Sequence, residues 1–156
     1  MSKPDRSIDP KLLKSASEEF LTHGYRGTSL ERICANAGVT TGALYKRFRG
    51  KEDLFGSLVE DVVRDLKAMN AAKGQLLAQK LPEAILVKCW DMNYETMSSW
   101  FTFLNRRRDA FTMLVRCAEG TIYEKFEHEY CKSMTELNYG FYLRAYEAGI
   151  ARESIS

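Results

Sequence analysis

Three glycines, Gly24, Gly38 and Gly50, leave the segment "GYRGTSLERICANAGVTTGALYKRFRG" room for only two short helices. Glycine is favoured just past a helix end, where the backbone turns left-handed. After Gly24, "TSLE" (Thr28 to Glu31) reads as a capping box, each side chain satisfying a backbone N–H at the helix start. Leu30, Ile33, Cys34 and Ala37 give that helix one apolar face, and Gly38 stops it. Only Gly38 and Val39 precede Thr40, which can cap a further helix through about Phe48. Two short helices joined by a tight glycine turn, with Val39 free to point inward, form the helix-turn-helix pattern.

The flanking sequence is helical as well. Asp9 is placed to cap a helix that starts at Pro10, where a missing N–H costs nothing, and Leu12, Leu13, Ala16 and Phe20 trace its apolar stripe up to Gly24. Gly50 opens a longer helix with Leu54, Phe55, Leu58, Val62 and Leu66 on its inner side. Periodicity lapses around "NAAKGQ" (70–75), which sets the expected domain boundary. Pro82 then begins a helix carrying Leu86, Trp90, Met97, Phe101 and Leu104. After the basic turn "NRRRD" come a short apolar segment, 110–118, and a helix marked by Ile122, Phe126, Tyr130, Leu137, Phe141 and Ala145. No sustained alternation of period 2 suggests a strand. The fold class is all-α: an N-terminal three-helix helix-turn-helix domain joined by a long helix to a C-terminal helical bundle. The domains are 1–56, with the connecting helix to about 70, and 71–156.

Composition excludes several classes of function. No apolar run approaches the ~20 residues that span a bilayer, and "MSKPDRSIDP" lacks a signal peptide's apolar core, so a cytoplasmic location with no membrane partner is expected. The cysteines at 34, 89, 117 and 131 are too scattered for a disulfide framework or a paired zinc motif, and read as buried free thiols. His23 and His128 are the only histidines, and no metalloprotease, nucleophile-elbow or phosphate-cradling motif is present. No enzymatic activity, metal or cofactor is expected.

The net charge of +2 is small but uneven. Residues 1–56 hold ten Lys/Arg against seven Asp/Glu, and Lys46, Arg47, Arg49 and Lys51 fall together with no acid between 39 and 51. A solvated face would also tolerate such a cluster. Beside a helix-turn-helix, however, it suits a phosphate backbone, with the second helix in the major groove. Thr40, Thr41, Gly42 and Ala43 at that helix start are small enough for close approach, and Thr can hydrogen-bond a base or a phosphate. Tyr45 offers a phenolic OH, and Lys51 lies at a helix start that favours anions.

Residues 9–62, through "GYRGTS", "ICANAGV", "GALYKRF" and "KEDLF", resemble the DNA-binding domain of the tetracycline-repressor (TetR) family of transcriptional regulators. The resemblance implies DNA contacts by Thr28, Thr40, Thr41, Gly42, Tyr45, Lys46 and Lys51, with Arg6 reaching the minor groove from a flexible arm. It further implies a homodimer on palindromic double-stranded operator DNA and a C-terminal bundle enclosing an effector pocket. Trp90, Tyr94, Met97 and Phe101 on one helix flank, with Met113 and Cys117 on the next helix, are the candidate ligand residues, and they suit a small apolar or aromatic effector. The chain stops at "AGIARESIS", about where the family's closing helix pair would begin. Either the product is shortened or dimerisation uses other surfaces. The alternative reading is an architectural or adaptor protein without an effector.

Overall fold

The computed structural model describes residues 10–88 and 93–151, which form eight helices and no strand. These are α1 (Pro10–Gly27), α2 (Leu30–Ala37), α3 (Thr41–Tyr45), α4 (Lys51–Leu77), α5 (Glu83–Lys88), α6 (Tyr94–Arg106), α7 (Arg108–Arg116) and α8 (Phe126–Glu147). The all-α class read from the sequence is the class observed. The chain divides into two compact units, one reaching to Val63 and including Arg107–Glu127, the other made of Arg64–Arg106 and the chain from His128.

In the first unit α1 starts at Pro10; Asp9, expected to cap it, lies outside the described residues. Gly24, at φ 66° and ψ 173°, breaks the helical geometry where the sequence puts a stop, and one further turn runs to Gly27. Leu12, Ala16 and Phe20 are buried along one stripe. They meet Ile33 and Cys34 of α2, and Leu54, Phe55, Val59 and Val62 of α4, within one core. Phe55 is its aromatic centre. Its ring stands edge-on to Phe20 at 5.0 Å and to Tyr25 at 5.6 Å, with Tyr123 tilted beside it at 6.1 Å.

Helix α7 packs on α1 through buried Met113 and Leu114, and the turn after it buries Cys117, Ala118 and Thr121. The contiguous second domain expected over 71–156 is therefore interrupted, because 107–127 lies with the first unit. Sequence order carries no sign of this, since the buried stripe of α7 would suit either core.

Three expected helix limits are corrected. The break at 70–75 is absent, and α4 continues to Leu77. Gly74 costs a helix about 1 kcal/mol relative to Ala, but Ala71 and Ala72 favour it and α8 supports it. Asn70 Nδ2 donates to Ser133 Oγ at 3.3 Å, and Gly74 faces Leu137. Leu77 lies so close to Gly140 that a Cβ there would fall 2.5 Å from Leu77 Cδ2. These three pairings advance together, so α4 and α8 run in the same direction. The single helix expected from Pro82 is two, α5 and α6. Asn93 starts the second by accepting the Thr96 N–H at 2.9 Å. Ile122, expected in the last helix, precedes α8 in an exposed turn.

Phe55→Ala should destabilise the first unit by about 3–5 kcal/mol, as the loss of a fully buried phenyl with three aromatic neighbours requires. Chemical denaturation followed by circular dichroism measures this, and a loss below ~1 kcal/mol would show that the cluster is not the centre of the core.

Candidate nucleic-acid interface

The turn between α2 and α3 is fixed by backbone geometry. Gly38 takes the left-handed conformation (φ 69°, ψ 31°); its N–H bonds Ala35 O at 3.2 Å, and the Val39 N–H bonds Cys34 O at 3.0 Å. Two of the four carbonyls left over at the end of α2 are thereby satisfied. Thr40 then caps α3 as expected, its Oγ1 accepting the Ala43 N–H at 3.2 Å. Although α3 itself is one short turn of five residues, bonds from Arg47 and Phe48 to Leu44 O continue the coil to Phe48.

This segment divides cleanly between two faces. Leu44 and Phe48 are buried and anchor it to the core, while Thr40, Thr41, Gly42, Tyr45 and Lys46 are exposed. Tyr45 is 59% exposed, which excludes a core role for its ring. A Cβ on Gly42 would meet only Thr40 Oγ1, at 4.0 Å, so nothing inside the chain demands glycine there. Arg49 is exposed beside them, its backbone N–H held at 3.0 Å by Asp53 Oδ2 from the first turn of α4.

Two expected contact residues face inward instead. Thr28 is buried, and its hydroxyl donates to Gly24 O at 2.6 Å and to Glu19 O at 3.3 Å. Nor is it the cap of α2. That place belongs to Ser29, whose Oγ accepts the Arg32 N–H at 3.4 Å and donates to Glu31 Oε2 at 2.6 Å. This last bond holds the Glu31 carboxyl below its ordinary pKa. The cap is thus displaced by one residue, and with Arg32 rather than an acid three residues on, the reciprocal half of a capping box is not made. Lys51 Nζ donates to Thr28 O at 3.1 Å and to Arg26 O at 3.5 Å, and sits 4.6 Å from the Tyr25 ring centroid. Burial, reinforced by Glu52, pushes the Tyr25 phenol upward, so the ring under the ammonium is neutral. With two donors used, Lys51 has one N–H left for an outside acceptor. Arg6 lies outside the described residues.

The expected ligand residues are divided between the two units. Met113 and Cys117 are buried in the first unit, where burial raises the Cys117 thiol's pKa and keeps it protonated. Tyr94, Met97 and Phe101 lie on α6 in the second unit, with Tyr94 and Phe101 exposed and Met97 half-buried. Trp90 lies outside the described residues. Two surface cavities of the first unit, of about 400 and 570 Å³, are lined near Tyr25; of the expected set, Cys117 borders the first.

A short helix carrying small and hydroxyl side chains outward, held by a glycine turn on a three-helix core, defines a helix-turn-helix DNA-binding domain. Residues 12–58 match the family described as bacterial regulatory proteins, tetR family. Over 63 residues the chain is 32% identical to an uncharacterized HTH-type transcriptional regulator, YhgD, of Bacillus subtilis (strain 168), a match covering 39% of this chain and 33% of that protein. It is this domain that is similar to the tetR family of bacterial regulatory proteins, and the match spans about a third of the relative's length. Among solved structures, the transcriptional regulator FadR from Bacillus subtilis in complex with stearoyl-CoA aligns over 94% of this chain and 75% of its own, at 17% identity and a TM-score of 0.49.

Gly42→Ala isolates the outer face. The folded chain should keep its stability or gain up to about 1 kcal/mol, because alanine favours the helix and has open space. Duplex DNA affinity should nevertheless fall about tenfold, or ~1.4 kcal/mol, as the added methyl intrudes on the groove. Lys46→Ala should weaken binding to all sequences and lower the salt slope by about one. Gel shifts at several salt concentrations, paired with thermal melts, measure both; unchanged affinity in both variants would place this face away from DNA.

Proposed function

We propose that the chain is a transcriptional repressor that binds palindromic operator DNA as a homodimer and releases it when a small apolar or aromatic effector enters the second unit. The observation that carries this reading is the outward face of Thr40, Thr41, Tyr45 and Lys46 above buried Leu44 and Phe48. Thr41 suits a base edge, while Tyr45 and Lys46 suit phosphate, with Lys51 offering its remaining donor from behind. The assigned role has no catalytic step, and a protein acting on bacterial operator DNA works in the cytoplasm. Among the described residues no helix is long and apolar enough to cross a membrane.

Homodimerisation is favoured by contact area. A five-residue helix presents few phosphate partners, and doubling them multiplies the affinity. Tyr139, Leu143 and Tyr146, at helical spacing on one flank of α8, are 40–47% exposed and form an apolar stripe that a second copy would cover. Light scattering should give twice the 17.9 kDa chain mass. DNA selected from a random pool should contain two half-sites whose centres are ~34–36 Å apart. A monomer that selects a single half-site would sink the dimer reading.

Effector entry is favoured by α6, none of whose residues is buried although it carries Tyr94, Met97, Trp100 and Phe101. The candidate ligand set narrows to this helix, since Met113 and Cys117 belong to the first unit's core. Exposed Tyr94 and Phe101 also fit a second reading, an adaptor whose α6 takes a protein partner. Trp100, stacked on Phe103 at 5.6 Å, is the local probe. An apolar compound that quenches its fluorescence should also release DNA, and Phe101→Ala or Met97→Ala should blunt both effects together. Quenching that leaves DNA affinity untouched would favour the adaptor.

A further inference from the structure

The stripe of α1 that packs on the first unit's core contains a carboxylate. Glu19 is 6% exposed, between apolar Ala16 and Phe20, where a leucine would bury its side chain at no electrostatic cost. Its Oε1 accepts from Arg32 Nε of α2 at 2.6 Å, and His23 Nε2 lies 3.9 Å from its Oε2. The same guanidinium donates through Nη2 to Gly27 O at 2.8 Å. Four residues before Glu19 on the same stripe, buried Ser15 donates to Ile33 O, also on α2, at 2.9 Å. The Thr28 hydroxyl, whose one hydrogen goes chiefly to Gly24 O at 2.6 Å, adds a longer, shared bond to Glu19 O at 3.3 Å. A polar seam therefore runs along the buried contact of α1 with the chain from Thr28 to Ile33, beside the apolar packing.

The pair is buried only on the Glu19 side, the Arg32 side chain being 52% exposed, and such a pair contributes little net stability because carboxylate desolvation and solvent screening offset most of the attraction. Apolar packing is, however, tolerant of sliding and rotation, whereas hydrogen bonds fix distance and direction. The seam engages α2 at two successive residues, Arg32 and Ile33, which sets both its rotation and its height along α1. The exposed residues of α3 are placed by α2 through the two-residue turn at Gly38. We propose that Glu19 is a positioning residue for DNA recognition: through Arg32 it fixes the pitch of α2, and with it the presentation of Thr41 and Tyr45 to the groove. This assignment rests on the repressor reading for its biological meaning, but its structural part does not.

The test compares the wild-type chain with Glu19→Gln and with the double variant Glu19→Leu/Arg32→Leu. The probe is a duplex that the wild type enriches from a random pool, and amide hydrogen exchange provides a readout independent of DNA. Because Gly27 is exposed and its carbonyl can take water once Arg32 is replaced, the double variant should melt no lower than wild type, yet bind the duplex at least about tenfold more weakly. Its amides from Leu30 to Phe48 should exchange faster while those from Leu54 to Val63 keep their protection. Glu19→Gln should show the same local pattern with an unchanged salt slope, because no phosphate contact is removed. Wild-type affinity and exchange in the double variant would overturn the proposal. Weaker binding with unaltered exchange and a salt slope lower by about one would also overturn it, making Arg32 a direct phosphate contact. If the wild type enriches no duplex, the repressor reading fails, while the exchange pattern still decides whether the seam positions α2.

Discussion

The first unit is organised around the carbonyls left without helical partners where α1 ends. An α-helix exposes its last carbonyls, and burying that end without donors would be costly. Here the donors come from every neighbour. Gly24 O takes the Thr28 hydroxyl, Tyr25 O the Thr28 N–H, Gly27 O the Arg32 guanidinium, and Arg26 O and Thr28 O the Lys51 ammonium. In return the Tyr25 N–H donates to Cys117 O at 2.9 Å. One helix end thus fixes the start of α2, the start of α4 and the turn after α7. The left-handed Gly24 makes this possible by turning the chain out of the helix with its carbonyls accessible.

A short recognition helix needs such a platform. Five residues contribute one turn, and isolated helices of that length do not persist in water. Leu44 and Phe48 supply the only apolar anchors of the α3 coil, so its position is inherited from α2 and α4. The Gly38 turn gives α2 control of one end. At the other end, Asp53 receives the Arg49 N–H, tying the exit of the coil to the first turn of α4. Small exposed residues on α3 are compatible with this arrangement because the anchoring is done elsewhere.

The sequence made the helices of this unit readable because their punctuation is local. Gly38, Thr40 and Gly24 act through neighbours within five residues, and each does what its type suggests. Thr28 and Ser29 show the limit: both are hydroxyl residues before Glu31, and only the packing of Thr28 under α1 decides that Ser29 is the cap. Lys51 shows another. A lysine at a helix start is chemically suited to phosphate, but the carbonyls of Arg26 and Thr28, more than twenty residues away, reach its ammonium first. Glu19 left no usable signal, since nothing in "SASEEF" separates a buried carboxylate from the exposed one beside it. Long-range contact also explains α4, where α8 carries the helix through Gly74, and α7, whose stripe names no partner.

The assignment of 107–127 to the first unit bears on how an effector would act. The chain passes between the units at three places, after Val63, after Arg106 and after Glu127. Helix α6 ends at Arg106, so the residue that follows the candidate ligand helix already belongs to the unit carrying α3. From there α7 leads directly to Cys117 O on the Tyr25 N–H, to Glu119 on Arg26 at 2.7 Å, and to the Ile122 N–H on Glu52 Oε1 at 3.0 Å. These are the neighbours of Lys51 and of the α1 end. Under the repressor reading, a ligand that shifts α6 would therefore pull on this segment through the backbone itself, in addition to any effect through α4. A coupling route needs an element that both sites bias. The segment from Arg107 to Ile122 is where such an element would have to be sought, because its first residue follows α6 and its last bonds to the first turn of α4.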